Sequence, residues 1–154
     1  MTCYYFAYGS NMNVERMRER GLTVVSSQLG KISDCELLFD KAAHNDPGAS
    51  YANIGYRQGG IVEGVLHELV DVSNIALLDH FEGTPIRYSR ECYPVETVGG
   101  TMIAAWVYVA NPGHRQAGLR PRRWYLEHLL CGESYLTPSY FAKLTKTRCI
   151  DEVV

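Results

Sequence analysis

The sequence contains no CxxC pair, and its five cysteines, Cys3, Cys35, Cys92, Cys131 and Cys149, are odd in number and widely spaced. That pattern offers neither a structural zinc site nor a thioredoxin-type redox motif. It reads as reduced, mostly buried thiols in a cytosolic protein. Long apolar runs are missing too, and the longest are far too short to span a bilayer. Met1-Thr2-Cys3 leads into no basic stretch followed by an apolar segment, so no signal peptide is expected and the expected location is cytoplasmic. Nor is there an excess of one charge. Lys and Arg number 15 against 17 Asp and Glu, a formal net charge of -2, whereas a dedicated nucleic-acid binder is usually basic. The five histidines are scattered, and His67-Glu68 lacks the second His of a metalloprotease motif because Asp71 stands at i+4. No metal and no cofactor are expected.

What is present is an ordinary globular composition. With 154 residues, 46% hydrophobic and 21% charged, the chain suits one domain spanning 1–154 and can bury a core without disulfides or metals. The 11 tyrosines can stiffen a core or line a pocket that needs both ring faces and hydroxyls.

Aromatic-rich Cys3 to Tyr8 reads as a buried first strand that stops at Gly9. Asn13 is placed to cap a short helix from Val14 to about Arg20, with Gly21 just beyond its end. Val24–Leu29 and Cys35–Phe39 read as two strands, followed by a loop over Lys41–Ser50 that carries Asn45-Asp46-Pro47-Gly48. Tyr51–Ile54 is expected to be extended, and Gly59-Gly60 to open a strand over Ile61–Leu69. Ser73–Phe81 reads as a helix whose stripe is Ile75, Leu78 and Phe81, with Gly83 ending it. Tyr93–Val98 and Met102–Val109 form a hairpin around Gly99-Gly100. Arg122–Leu130 and Pro138 to about Lys146 are the last helices. The hairpin signals favour an α+β fold with a mixed, mostly antiparallel sheet over a doubly wound one.

Two segments carry chemistry. In Tyr8-Gly9-Ser10-Asn11, Gly9 lets a backbone approach a ligand without a Cβ in the way. The amides after it, near a helix start, suit a carboxylate or a developing oxyanion. The same string also fits a plain strand-to-helix turn with Ser10 or Asn11 as cap. Ser10 is a poor nucleophile candidate, since Asn11-Met12 replaces the second half of G-x-S-x-G. The other segment holds Glu82, at the C-terminal end of the second helix, where the macrodipole disfavours a carboxylate.

Together these segments resemble the γ-glutamyl cyclotransferase family. Tyr5-Phe6-Ala7-Tyr8-Gly9-Ser10-Asn11-Met12 is similar to its signature, and the likeness continues through Phe39-Asp40-Lys41, Ala52-Asn53-Ile54, Glu63 to Leu69 and Leu77-Leu78-Asp79-His80-Phe81-Glu82-Gly83. It covers roughly residues 4–144. The resemblance implies a barrel-like sheet flanked by helices, no cofactor, and a small-molecule γ-glutamyl substrate. It implies that the α-amine of that substrate attacks its own γ-amide, releasing 5-oxoproline and an amine or amino acid. Glu82 would shuttle the proton from a pocket that raises its pKa. Tyr8, Gly9, Ser10, Asn11, Met12 and Asn13 would hold the glutamyl carboxylate and carbonyl, chiefly through the amides of Gly9, Ser10 and Asn11. Tyr125 either closes over substrate or packs on the core, and Tyr88 and Tyr108 read first as core residues.

Two segments depart from the family pattern, Gly59 to Glu63 and Gly83-Thr84-Pro85-Ile86-Arg87, and both are candidates for shaping the leaving-group side. The run Arg115, Arg120, Arg122 and Arg123 reads either as a solvated surface or as a site for an acidic substrate or phosphate. Two other classes stay open: a non-catalytic carboxylate-binding module on the same scaffold, and a nucleic-acid contact through the arginine run, which the acidic balance disfavours. No membrane partner is expected, and a small aromatic-rich domain can form a homodimer.

Overall fold

The structure is a computed structural model that describes residues 2–152. Its strands are β1 (Cys3–Ala7), β2 (Val24–Ala42), β3 (Ser50–Leu69), β4 (Tyr88–Thr97) and β5 (Met102–Ala110). They close into a barrel in the order β1-β3-β2-β4-β5. Every neighbouring pair is antiparallel except β1 with β5, whose parallel pairing at Tyr5 and Trp106 completes the closure. Closure leaves no long unpaired edge. The helices are α1 (Val14–Glu19), α2 (Ser73–Glu82), α3 (Arg123–Leu130) and α4 (Pro138–Thr145). The fold is thus the expected α+β, mostly antiparallel barrel with flanking helices.

The helix ends follow the sequence signals. The Asn13 side chain accepts the Glu15 amide at 3.1 Å to start α1, and Gly83, at φ 65, ends α2 in the left-handed region. Thr137 caps α4 ahead of Pro138. Phe6, Leu66, Val95 and Val107 fill the barrel, while Ile75 and Leu78 of α2 and Leu126 and Leu129 of α3 pack around it, all fully buried. Phe81 departs from the expected stripe. It is 42% exposed, at the end of α2 nearest the cavity described below. At Gly64 the packing requires glycine, because a Cβ there would lie 2.3 Å from the Ala7 carbonyl oxygen.

The strands are longer than the sequence signals suggested. Val24–Leu29 and Cys35–Phe39 belong to one strand, β2, that bulges instead of turning. Asp34 takes the left-handed conformation (φ 59), and its carboxylate accepts the Gly59 amide at 2.9 Å. Opposite it, residues 57–60 swing out of β3, so that pairing passes from Ser33 with Ile61 to Cys35 with Tyr56. Tyr51–Ile54 and Ile61–Leu69 are therefore two parts of β3. The expected loop over 41–50 shortens because Lys41 and Ala42 pair with Tyr51 and Ser50. β4 begins at Tyr88, opposite Ala110, five residues earlier than the hairpin signal. The cysteines are free, but only Cys35 and Cys149 are buried; Cys92, on the outer face of β4, and Cys131, just past α3, are exposed. The expectation of mostly buried thiols is corrected accordingly.

Candidate active site

Between β1 and α1 the chain makes a single 3-10 turn, Ser10–Met12. The Met12 amide donates to the Gly9 carbonyl at 3.0 Å, and the Asn13 amide to the Ser10 carbonyl at 3.2 Å. The amides of Ser10 and Asn11 open this turn, where a helix offers them no acceptor. Gly9 lets the turn sit close to the wall: a Cβ there would lie 3.1 Å from both the Ala52 Cβ and the Tyr125 hydroxyl, so those neighbours would have to give by a few tenths of an ångström. Neither Ser10 nor Asn11 caps the turn.

Asn11 is instead the junction of the site. It is 3% exposed. Its Nδ2 donates to Tyr5 Oη at 3.1 Å and to Glu82 Oε1 at 3.3 Å, and its Oδ1 accepts from Arg20 Nη1 at 3.2 Å. Its carbonyl lies 2.8 Å from Nε2 of the fully buried His67, whose Nδ1 is 2.8 Å from Ser27 Oγ. A carbonyl only accepts, so Nε2 carries the proton and Nδ1 accepts from the serine. Burial keeps this ring neutral, with its pKa pulled down to about 4 despite the bond to Asn11. His67 thus clamps the turn from below.

Two segments 71 positions apart therefore meet. They open on a cavity of about 200 Å³ lined by Tyr8, Gly9, Ser10, Asn11, Glu82 and Tyr125, with further tyrosines behind them. Met12 and Asn13, expected among the substrate-holding residues, do not line it. Met12 points into the core against Gly132, and Asn13 is spent on capping α1 and on a 3.0 Å hydrogen bond with His128 Nδ1. Both follow from the turn, which rotates successive side chains away from the cavity.

The walls are aromatic and internally fastened. Tyr125 accepts the Ala52 amide at 2.9 Å, and burial moves its hydroxyl up to about 12. Tyr88 donates to the Ala52 carbonyl at 2.8 Å. Tyr108 donates to Asp79 Oδ1 at 2.7 Å, and Tyr8 donates to the Tyr108 carbonyl. Tyr88 and Tyr108 are thus both core residues and cavity wall. Phe81 and Trp124 stand at the rim, 42% and 48% exposed.

Four cations converge on this space: Arg16 and Arg20 from the α1 side, Lys41 from β2, and Arg87 from the segment after α2. Among the described residues, none of the four lies within 4.0 Å of a carboxylate oxygen. Arg16 Nε is buried without a partner. Arg20 lies over the Phe81 ring, 4.8 Å from its centroid. Lys41 is 2% exposed; its ammonium donates to the Ala42 carbonyl at 2.9 Å and faces the Tyr51 and Tyr88 rings. Burial, and then the Arg87 charge, lower its pKa. Glu82 is the acidic group among these linings. Burial raises its pKa above the ordinary carboxylate value, and the charges of Arg20, Arg16 and Lys41 oppose the rise.

The sequence did not single out these cations as site residues, although Arg16 and Arg20 are four apart on a helix that starts at the turn. The Arg115–Arg123 run behaves differently. Arg115 pairs with Asp40 at 2.9 Å, Arg122 with Asp46 at 2.7 Å and Arg123 with Glu152 at 2.7 Å, all away from the cavity. Residues 59–61, read as a leaving-group wall, line a separate groove beside α4.

The profile of the family described as "Gamma-glutamyl cyclotransferase, AIG2-like" matches residues 5–127, and the chain belongs to that family. Among solved structures it is similar to a γ-glutamyl cyclotransferase, with 24% identity, TM-score 0.84 and coverage of 100% of this chain and 92% of that one. An uncharacterized protein from Homo sapiens is similar at 25% identity and TM-score 0.84, covering 99% and 92%. A yeast γ-glutamyl cyclotransferase specific to glutathione shares the fold at 10% identity and TM-score 0.66, covering 93% of each chain. No curated protein sequence matches. Among the described residues, no helix is long and apolar enough to cross a membrane.

Proposed function

We propose that this protein is a γ-glutamyl cyclotransferase, with Glu82 as proton shuttle. The observation that carries the reading is the 3.3 Å hydrogen bond between Asn11 and Glu82 at the wall of a cation-lined cavity. A γ-glutamyl compound brings its own nucleophile, the α-amine. Attack on the γ-carbonyl forms the ring C–N bond, and collapse breaks the bond to the leaving nitrogen. No enzyme nucleophile is required. Holding the chain folded for attack contributes up to ~7–11 kcal/mol in favourable intramolecular cases.

Two proton transfers remain. The α-ammonium must lose a proton before attack, and the leaving nitrogen must gain one. One carboxylate serves both, as base and then as acid. An ordinary Glu (about 4.3) and an α-amine (about 7.7–8.0) are mismatched by roughly 3.5 pKa units, or about 5 kcal/mol. Burial of Glu82 narrows that gap. Arg16, Arg20 and the free amides of the turn suit the glutamyl carboxylate. Incubation of the purified protein with γ-glutamyl dipeptides and γ-glutamyl amines is expected to release 5-oxoproline. Binding without release across that panel would favour a non-catalytic binding module.

A further inference from the structure

One row of the barrel runs beneath the turn. Ser27 of β2, His67 of β3 and Tyr5 of β1 are direct cross-strand neighbours. Cross-strand partners point to the same face of a sheet, so the three side chains form a line. Two of them end on Asn11. Tyr5 Oη accepts from the Asn11 side-chain amide at 3.1 Å, and His67 Nε2 donates to the Asn11 carbonyl at 2.8 Å. The Tyr5 and His67 rings lie 28° from parallel, their centroids 6.1 Å apart. The turn's own two backbone bonds end on the carbonyls of Gly9 and Ser10, which leaves the Asn11 carbonyl to the histidine. A fully buried imidazole is a costly way to fill space. Neither His67 nor Ser27 lines the cavity. What the histidine supplies is a fixed N–H aimed at one peptide plane of the turn.

Resting on the cyclotransferase reading, we propose that His67 is a positioning residue for the cyclisation, and that Ser27 holds its ring so that Asn11 stays aimed at Glu82. The contacts run from Ser27 Oγ to His67 Nδ1, from His67 Nε2 to the Asn11 carbonyl, and from Asn11 Nδ2 to Glu82 Oε1. A ring held at one nitrogen can still swing about its Cβ–Cγ bond. Bonds at both nitrogens fix its plane. The Asn11 carbonyl only accepts, which keeps the ring proton on Nε2. That carbonyl, the Asn11 amide and the Asn11 side chain belong to one residue, so pinning the first restricts the other two. A shift of about 1 Å in such a group can cost about 10²-fold in rate. Two residues outside the cavity thereby set the geometry inside it.

The test measures 5-oxoproline release from the best substrate of the γ-glutamyl panel, at a temperature where circular dichroism shows each protein folded. The proteins are wild type, His67→Leu, His67→Gln, Ser27→Ala and the Ser27→Ala/His67→Gln double variant. Leu144→Ala, in the core beneath α4, is the destabilised control. His67→Leu removes the donor and is expected to lower kcat/KM roughly 100-fold. A glutamine amide can stand in for Nε2–H, so His67→Gln should recover at least about ten-fold of that loss. Ser27→Ala removes one neutral hydrogen bond, a fall of roughly 3- to 10-fold. That fall should vanish in the His67→Gln background, where no second ring nitrogen remains to be held. Leu144→Ala should lower Tm and leave kcat/KM unchanged, and ¹⁵N NMR should find the His67 proton on Nε2. His67→Leu within a few-fold of wild type, no recovery in His67→Gln, a Ser27→Ala effect that persists in the double variant, or an Nδ1–H tautomer overturns the positioning role while leaving cyclisation intact. A loss in Leu144→Ala equal to that in His67→Leu overturns it too, as an effect of stability alone. Ser27 is only half-buried, so Ser27→Ala and the double variant decide the matter if His67→Leu does not fold. No 5-oxoproline from any member of the panel with wild type overturns both readings.

Discussion

Replacing Asn11 with Ala removes the one side chain that bridges the turn, Glu82 and Arg20. Three hydrogen bonds disappear: a neutral one to Tyr5 and two involving charged groups, at 3.1, 3.3 and 3.2 Å. Taken singly these are worth about 1 kcal/mol for the neutral bond and about 1.5–3 kcal/mol for each charged one. Full addition overstates the loss. Arg20 keeps its place over Phe81, and the space left is polar enough to admit a water. A net loss of about 2–3 kcal/mol is expected, which at ~2–4 °C per kcal/mol for a domain of this size lowers Tm by roughly 5–10 °C.

The same change has a second consequence that a purely structural residue would not produce. A donor to the charged form of Glu82 is gone, so its pKa moves further up. The acid limb of the kcat/KM profile then shifts to higher pH. Calorimetry and a pH-rate profile with a γ-glutamyl dipeptide read the two effects. An Asn11→Ala protein with unchanged Tm and an unmoved acid limb would show that Asn11 does not bridge the turn to Glu82.

Three further outcomes follow from the packing and the charges. His67 is held neutral with a folded pKa of about 4 against an ordinary 6.5. The unfolded chain therefore binds the extra proton first, and stability present above pH 6.5 falls by about 3 kcal/mol as pH drops to 4; a denaturant series over that window checks it, and His67→Gln should flatten the slope. Glu82→Gln should be no less stable than wild type at neutral pH. A raised folded pKa means that the ionised carboxylate is the disfavoured form, so the variant's relative stability grows as pH rises through that pKa; thermal melts at several pH values test this. Gly64→Ala brings a Cβ to 2.3 Å from a backbone oxygen and should cost at least ~3 kcal/mol, read as a fall in the denaturation midpoint.

Local signals carried much of the fold into view. Gly9, Asn13, Gly21, Gly83 and Pro138 mark turns and helix ends through backbone physics that acts within a few residues. The continuity of β2 and β3 was hidden because it depends on Asp34 and residues 57–60 facing each other across the sheet. Either segment alone looks like a chain reversal. At the site, the turn and Glu82 were visible because each carries a distinctive string. Met12 ends that string and Asn13 follows it, but the turn aims them at the core and at α1. Arg16 and Arg20 share a helical spacing that alone looks like a solvated face, and no spacing links either to Lys41 or Arg87; the meaning of the four is a convergence of charge from three parts of the chain. The Arg115–Arg123 run shows the converse, since its adjacency in sequence is resolved by separate surface ion pairs.

The proton-shuttle role of Glu82 is tested by assaying Glu82→Gln for 5-oxoproline release from γ-glutamyl-L-alanine. Loss of a positioned acid–base group predicts a fall in kcat of about 10²- to 10⁴-fold, with the fold retained by circular dichroism. Turnover within a few-fold of wild type would show that the proton travels by another route.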